Sequence, residues 1–375
     1  MIKGLQITLL IGPGVPIPAP ATVINDVDSI EVSSNRERSA FQITFTTGKR
    51  SPLLAIMLPA GYLDPIVTRV MIIVTVGGVP NVIMDGVVTQ QQVQPSSEPG
   101  KSTLTIVGED LSLYMDLVEM PFMRYPAMPE VAQLYAILAK YAVLGIAPIV
   151  LPPIIIDVPN PTEEIPSQTG TDLDYIRQHA RRCGYVFYVE PAPVPGANIA
   201  YFGPDVRIPV PQPALNVNMD AHTNVEALSF TLEGRAKKIV VMTVLDPVTR
   251  KIPIPIPVPE INVFKPPLGL RPTPPARVAF PEELTNLPPG EAVKRAIGIG
   301  LASSEAIGAS GALDVTRYGH VLRSRMLVGV RGAGLAYDGM YYVDRVSHKI
   351  RRGQYKQDFS LSRDGLISQT PMVVP

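Results

Sequence analysis

At 375 residues the chain is long enough for two or three domains of roughly 100 to 200 residues each. Its 33 Lys and Arg balance 33 Asp and Glu, so no global field draws it to nucleic acid or to an anionic membrane, and a protein partner is expected instead. The single cysteine, Cys183, excludes an intrachain disulfide and fits a reducing compartment, so assembly in the cytosol is expected.

The N-terminus imitates a secretory signal, with Lys3 ahead of an apolar stretch. Leu5, Ile7, Leu9 and Ile11 nevertheless alternate with Gln6 and Thr8, the period of a half-buried strand. Short strands separated by turn residues follow: DSIEVSS from Asp28, AFQITFTTG from Ala40, RVMIIVTVGG from Arg69, NVIMDGVVTQ from Asn81 and KSTLTIVGED from Lys101. Residues 1–111 are therefore predicted as a β domain.

After Pro129, Val131, Leu134, Tyr135, Leu138 and Tyr141 take helical spacing on one face. The apolar run from Tyr141 to Ile156 is shorter than the roughly 20 residues that span a bilayer, and Pro148, Pro152 and Pro153 break it, so no membrane insertion is expected. A second helix, TDLDYIRQHARRCG, has Thr171 as its cap and Gly184 as its stop, with Leu173, Ile176, Ala180 and Cys183 on one stripe. YVFYVE and ANIAYFG then form a predicted hairpin, and 112–215 reads as an inserted α/β domain. Strand patterns return between Val225 and Ile256, which makes 216–256 the first part of a second β domain. Segment 257–311 is expected as a Pro-rich linker, up to Pro289, followed by a short Ala-rich helix from Glu291 to about Ile307. Residues 312–375 complete the second β domain and end on a hairpin around Arg351, Arg352 and Gly353.

The two β regions close alike. Asp85-Gly86, a turn at Pro99-Gly100 and Gly108-Glu109-Asp110-Leu111 stand beside Tyr337-Asp338-Gly339, a turn at Gly353 and Arg363-Asp364-Gly365-Leu366. One reading is that Asp-Gly and Gly are common turn residues. The other is two copies of one β unit, so that a trimer presents six similar units to a six-fold ring.

Signals of chemistry are sparse. Gly298-x-Gly300 and Gly332-x-Gly334 lack the third glycine of a dinucleotide fingerprint, with Ser303 and Tyr337 in its place. His179 and Cys183 lie four apart on a helix but have no third ligand in sequence reach, so neither metal nor cofactor is expected. Glu163-Glu164 and Asp172/Asp174 read as loop or helix N-terminal charges, against a general acid–base pair. A basic cluster of Arg345, His348, Lys349, Arg351, Arg352 and Lys356 is interleaved with Tyr341, Tyr342 and Tyr355. It fits either contact with nucleic acid in a channel or, the preferred reading, a charged turn that blocks edge pairing or grips an acidic neighbour. Tyr355, Phe359 and Leu361 are expected to pack inward.

The stretch from Tyr318 to Leu366 resembles the late control protein D family of phage tail hubs. It carries paired GAG and YDG turns, a Tyr-Tyr-Val strand, Val-Ser-His-Lys-Ile, a Gly-x-Tyr-x-Gln-x-Phe strand and a closing Ser-Arg-Asp-Gly, in the family's order. Gln168 to Pro191 with ANIAYFG resembles the family's middle segment, and LTIVGEDLSLYMD from Leu104 the close of its first domain. The resemblance implies a β-rich α+β chain with two tube-like β-barrel domains and an inserted α/β domain. It further implies a homotrimeric, pseudo-six-fold ring joining a hexameric tail tube to a trimeric spike, with other baseplate proteins as neighbours. Only nine residues follow Leu366, so the spike is expected on a separate chain. Two rival functions stand beside this one: a tail-associated cell-wall hydrolase with Glu163 and Glu164 in the insertion, and a target-recognition module, which the absence of tryptophan disfavours.

Overall fold

The structure is a computed structural model that describes residues 4–48, 51–98, 100–153, 165–205, 210–245, 253–257, 266–280, 289–302 and 305–369. Its first part is built from β1 (Leu5–Pro13), β2 (Ile17–Pro18), α1 (Ala21–Asp26), β3 (Val27–Ser34), β4 (Ser39–Thr47), β5 (Thr68–Val76), β6 (Val79–Gln94) and β7 (Ser102–Asp110), with a π-helical turn at Leu53–Met57 between β4 and β5. Period-two patterning produces these strands: in β4, Phe41, Ile43 and Phe45 are buried while Gln42 and Thr46 face water. Each such apolar side chain stabilises the unit by about 1.5 to 3 kcal/mol relative to exposure. Asp85-Gly86 is no turn. It lies inside β6, where a Cβ on Gly86 would overlap the Glu109 carbonyl oxygen of β7.

Between β7 and the second unit lie α2 (Glu130–Ala139), β8 (Ile146–Val150), α3 (Asp172–Cys183), β9 (Val186–Pro191) and β10 (Asn198–Gly203). Strand β10 pairs parallel to β8 and antiparallel to β9. The Thr171 hydroxyl accepts from the Asp174 N–H at 3.2 Å and starts α3, and Gly184 ends it in the left-handed conformation. Leu173, Ile176, Ala180 and Cys183 are buried together with Leu134, Ile137 and Leu138 of α2. The buried face of α2 departs from the sequence reading, since Tyr135 is 43% exposed while Glu130 and Gln133 are buried. Those two polar groups go inward because α3 supplies their partners, His179 to Glu130 and Tyr175 to Gln133, each at 2.8 Å.

The chain continues through β11 (Gln212–Asn216), β12 (Ala227–Leu232), β13 (Lys238–Leu245), β14 (Pro253–Pro257), β15 (Gly269–Pro272), β16 (Arg277–Ala279), α4 (Pro289–Ala302), β17 (Ile307–Asp314), α5 (Val315–Tyr318), β18 (Leu327–Arg331), β19 (Gly339–Arg351), β20 (Gln354–Arg363) and β21 (Gly365–Ser368). Three boundaries differ from expectation. Residue 215 falls inside β11, which pairs with β18 of the second unit. Ile307 opens a strand and is not the end of a helix, so a division at 311/312 cuts β17. The expected linker holds two short strands, because β15 pairs with β21 and β16 with β13 despite the surrounding prolines. Residues 258–265 and 281–288 of that linker, and the Glu163-Glu164 pair, lie outside the described residues.

One sheet runs through both units, in the order β12-β17-β20-β19-β3-β4-β7-β6-β5-β1-β2, with β18 pairing β19 and β11 pairing β18. One continuous apolar cluster among the described residues runs along it through both units, from Ile11, Val32 and Phe45 to Val330, Tyr355 and Leu361. Among the described residues no helix is long and apolar enough to cross a membrane.

Candidate functional site: the junction of two β units

The two units use their strands in the same way. The first is ordered β3-β4-β7-β6-β5-β1 and the second β12-β17-β20-β19-β18-β11. Taken in each unit's own chain order, leaving aside β2 in the first and β13 to β16 and β21 in the second, both read second, third, sixth, fifth, fourth, first. A short helical turn joins the third strand to the fourth in each, at Leu53–Met57 and at α5. They differ at the outer strand, where β1 runs antiparallel to β5 and β11 runs parallel to β18.

A β-bulge fixes the register between them. The ladder shifts between Val88 and Gln90 opposite β7, and between Val343 and Arg345 opposite β20. Laying bulge on bulge matches two rows of side chains across the sheet. In one row Val88 faces Gly108, which faces Phe41, which faces Val32. In the other Val343 faces Leu361, which faces Ala309, which faces Phe230. The volumes exchange: a Cβ on Gly108 would run into the Phe41 ring, whereas Leu361 stands beside the small Ala309. Close packing requires such compensation. The same alignment sets Asp85 beside Met340, two residues past Asp338, so the two Asp-Gly pairs are not in equivalent positions.

Their roles differ accordingly. Buried Asp85 accepts from Arg69 at 2.7 Å through both oxygens and from Asn198 at 2.8 Å, which ties β6 to β10. Asp110 accepts from the Ser39 and Ser112 N–H groups, at 2.6 and 3.0 Å, and closes β7. Asp338 accepts from the Ala333 N–H at 2.7 Å and locks the GAG turn, whose Gly332 and Gly334 have φ of 87° and 91°. Arg363, the counterpart of Asp110, is buried over the Tyr341 ring and donates to the Asp338 and Ala336 carbonyls. Asp364 accepts from the Leu268 N–H at 2.8 Å, and Gly339 and Gly365 sit too close to Ser368 and Arg271 for a side chain.

The junction is the pairing of β19 with β3, in which Val346 stands opposite Ser34, His348 opposite Val32 and Ile350 opposite Ile30. Arg36, in the β3–β4 turn, reaches across it. Its guanidinium donates to Asp344 at 2.8 Å, Asp205 at 3.3 Å, Glu305 and the Ser362 hydroxyl, and lies over the Tyr342 ring. Burial alone would ease its proton loss, but Glu305, Asp205 and Asp344 outweigh that and raise its pKa. Burial also raises the Asp344 carboxyl, against the pull of Arg36. Ser34 bridges the Ser39 and Ser324 hydroxyls at 3.0 and 2.8 Å. No one of these partners was visible as a neighbour in the sequence; the only signal was a charged turn, Asn35-Arg36-Glu37-Arg38, between two strands.

The basic cluster is not one surface. His348 is buried, its Nδ1 accepting from the Tyr355 hydroxyl at 2.7 Å, and burial lowers its pKa to about 3. Tyr341, Tyr342, Tyr355, Phe359 and Leu361 are buried as well. Arg345, Lys349, Arg351 and Arg352 are exposed, Lys349 pairing with Asp358 at 2.5 Å, Lys356 with Glu226 at 2.8 Å and Arg352 with the Asn25 carbonyl. Gly353, at φ 77°, makes the turn between them.

A second polar cluster sits under α4. Glu130 accepts from His179, and from Lys294 of α4, with the Cys183 thiol 3.6 Å away. Burial works to raise the Glu130 pKa, yet His179 and Lys294 hold it at about 2, while burial followed by Glu130 pushes the Cys183 thiol up to about 12. A thiol so hard to ionise is a poor nucleophile or metal ligand. The described residues contain no group of three His, Cys, Asp or Glu placed to hold a metal ion.

No protein-family model matches the chain, and no curated protein matches it in sequence. Solved structures do. The tail protein of Neisseria meningitidis MC58 aligns over 97% of this chain and 98% of its own, with a TM-score of 0.65 at 13% identity. The 43 kDa tail protein of prophage MuSo2 from Shewanella oneidensis aligns over 96% and 98%, with a TM-score of 0.57 at 14% identity. A component of the E. coli type VI secretion system, described as structurally similar to bacteriophage T4 tail proteins gp27 and gp5, aligns over 93% and 77%, with a TM-score of 0.52 at 10% identity. With nearly full coverage on both sides, this chain has the fold of the phage tail proteins it overlies.

Proposed function

We propose that the chain is a structural hub subunit of a tail baseplate. In this reading three copies form a ring of six β units, which joins a hexameric inner tube on one side to a separate trimeric spike protein on the other. Other baseplate proteins surround it, and the particle is put together in the bacterial cytoplasm. One observation carries the reading: two units of the same strand order are fused edge to edge in one sheet, so three chains supply six similar units. The described residues of 112–205 lie beside that sheet, tied to it through Asp85–Asn198 and Arg36–Asp205. Arg345, Lys349, Arg351 and Arg352 serve as contact points for neighbouring chains at the exposed hairpin, and the role is mechanical and not enzymatic.

The test is solution mass. Light scattering is expected to give three times the 40.5 kDa chain mass for the purified chain alone, and that mass plus the mass of the bound spike when its spike protein is added. A strictly monomeric chain under both conditions refutes the proposal. Release of fragments from purified peptidoglycan would refute the non-enzymatic part separately.

A further inference from the structure

Each unit carries one edge that its counterpart has paired. In the second unit, β19 gives its first half to β18 and its second half, Val346 to Arg351, to β3. In the first unit, β6 gives its first half to β5, and beyond Val88 that edge has no strand partner among the described residues. Gln90 to Gln94 are accordingly exposed, including Val93 at 41%. Likewise β3 is paired on both sides, by β4 and β19, whereas its counterpart β12 is paired, among the described residues, with β17 alone and exposes Leu232 at 43%. The chain therefore ends its repeated sheet in a β3-like edge at one place and leaves a β19-like edge open at another. Open edges of this kind are templates for another strand.

Resting on the hub reading, the geometry points to a second copy of this chain as the partner of both edges: β12 of one copy adds antiparallel to the second half of β6 of the next, repeating between chains the β3–β19 junction within a chain. The register follows from the two matched side-chain rows. They make Gln91 to Gln94 the counterparts of Val346 to Lys349, and Glu31 to Ser34 the counterparts of Ser229 to Leu232. Since Val346 faces Ser34 and Lys349 faces Glu31, Gln91 will face Leu232, Gln92 will face Thr231, Val93 will face Phe230 and Gln94 will face Ser229. Val93 opposes Leu104 on the core side of its own sheet, and Phe230 packs on Tyr337 and Tyr341 in its unit. Their meeting would carry the apolar core across the boundary between chains. The far end of the sheet is no competitor for β12. It is the two-residue β2, and Pro13, Pro16, Pro18 and Pro20 around it lack the N–H groups that a ladder needs. A donor edge and a different acceptor edge on each chain make a head-to-tail contact, which excludes a two-fold dimer and builds a ring when its rotation closes, as the three-copy hub reading requires.

Paired cysteines test this, since the single native thiol, Cys183, is buried. Gln92→Cys with Thr231→Cys in one chain is expected to give, on mild oxidation, a covalent ladder ending at the closed ring, and each single variant is expected to stay unlinked. Self-linking of Thr231→Cys alone would mean a two-fold contact, and more efficient linking of Gln92→Cys with Ser229→Cys would mean another register; either overturns the proposal. Should the variants assemble poorly, hydrogen exchange on the unmodified protein reads the same contact: amides in 90–94 and 227–232 gain protection in the oligomer relative to dilute monomer, and unchanged exchange there overturns it. A trimer without this link or protection removes the pairing and leaves the hub proposal standing, whereas a permanent monomer removes both.

Discussion

Replacing Arg36 by leucine tests the junction most sharply, because one side chain there neutralises carboxylates from three parts of the chain: Asp205, Glu305 and Asp344. Arg36→Leu keeps much of the apolar stem and removes a shared cation from three close acidic groups. Removing one partner of a buried pair costs about 3 to 5 kcal/mol. The Arg36 side chain retains 28% exposure, so solvent screens part of the loss and the expected cost is at the lower end, about 3 kcal/mol at pH 7. The loss has a pH signature. Burial already raises the Asp344 carboxyl, and without Arg36 it rises further, so the folded variant binds protons more readily than its unfolded chain. Its deficit is then largest above pH 7 and shrinks as the pH falls toward 4. Urea unfolding at fixed protein concentration, at several pH values, measures both. Arg36→Lys, which keeps the charge but not the fork of donors, is expected to lose less. A deficit below about 1 kcal/mol at pH 7, or one independent of pH, would refute the account of the junction.

His348, held neutral by burial at about 3 against a usual 6.5, makes the protein acid-sensitive: between those values the unfolded chain takes up a proton that the folded chain refuses. Stability falls by up to about 1.4 kcal/mol per pH unit as pH drops through that window, and His348→Gln is expected to remove this part of the slope; equal slopes would contradict it. Gly108→Ala forces a methyl against the Phe41 ring and is expected to cost about 1 to 3 kcal/mol in thermal or urea unfolding, partly restored by Phe41→Leu; a neutral Gly108→Ala would break the matched rows. Glu130 at about 2 stabilises fully above its usual 4.5 and loses that contribution as pH falls toward 2. Glu130→Ala, which strands Lys294, is expected to cost about 3 kcal/mol and to speed hydrogen exchange in α4, while unchanged exchange there would separate α4 from this cluster.

Local pattern carried much of the fold. Leu9 and Ile11 alternate into β1, Phe41, Ile43 and Phe45 into β4, and Thr171 and Gly184 bound α3, because the forces that set these elements act between residues close in sequence. The Tyr355, Phe359 and Leu361 face of β20 was readable for the same reason. What stayed hidden is non-local. Nothing near Val32 names His348 as its neighbour, and nothing in Glu130 announces His179 and Lys294, so a helix face chosen on hydropathy took in Tyr135 and passed over Glu130. The repeat was visible through its Asp-Gly pairs, hairpin turns and closing residues, but the Asp-Gly pairs lie two residues out of frame: the bulges at Thr89 and Asp344 set the true register, and neither leaves a motif. His348 entered a basic surface cluster on charge alone, whereas its position on the inward face of β19 buries it.

The central claim, that repeated β units fused in one chain build a ring from three copies, is tested most directly by electron microscopy of the purified oligomer viewed down its axis. The account predicts a closed ring with true three-fold symmetry whose wall shows six similar lobes; a two-fold dimer, an open filament or isolated single chains would contradict it.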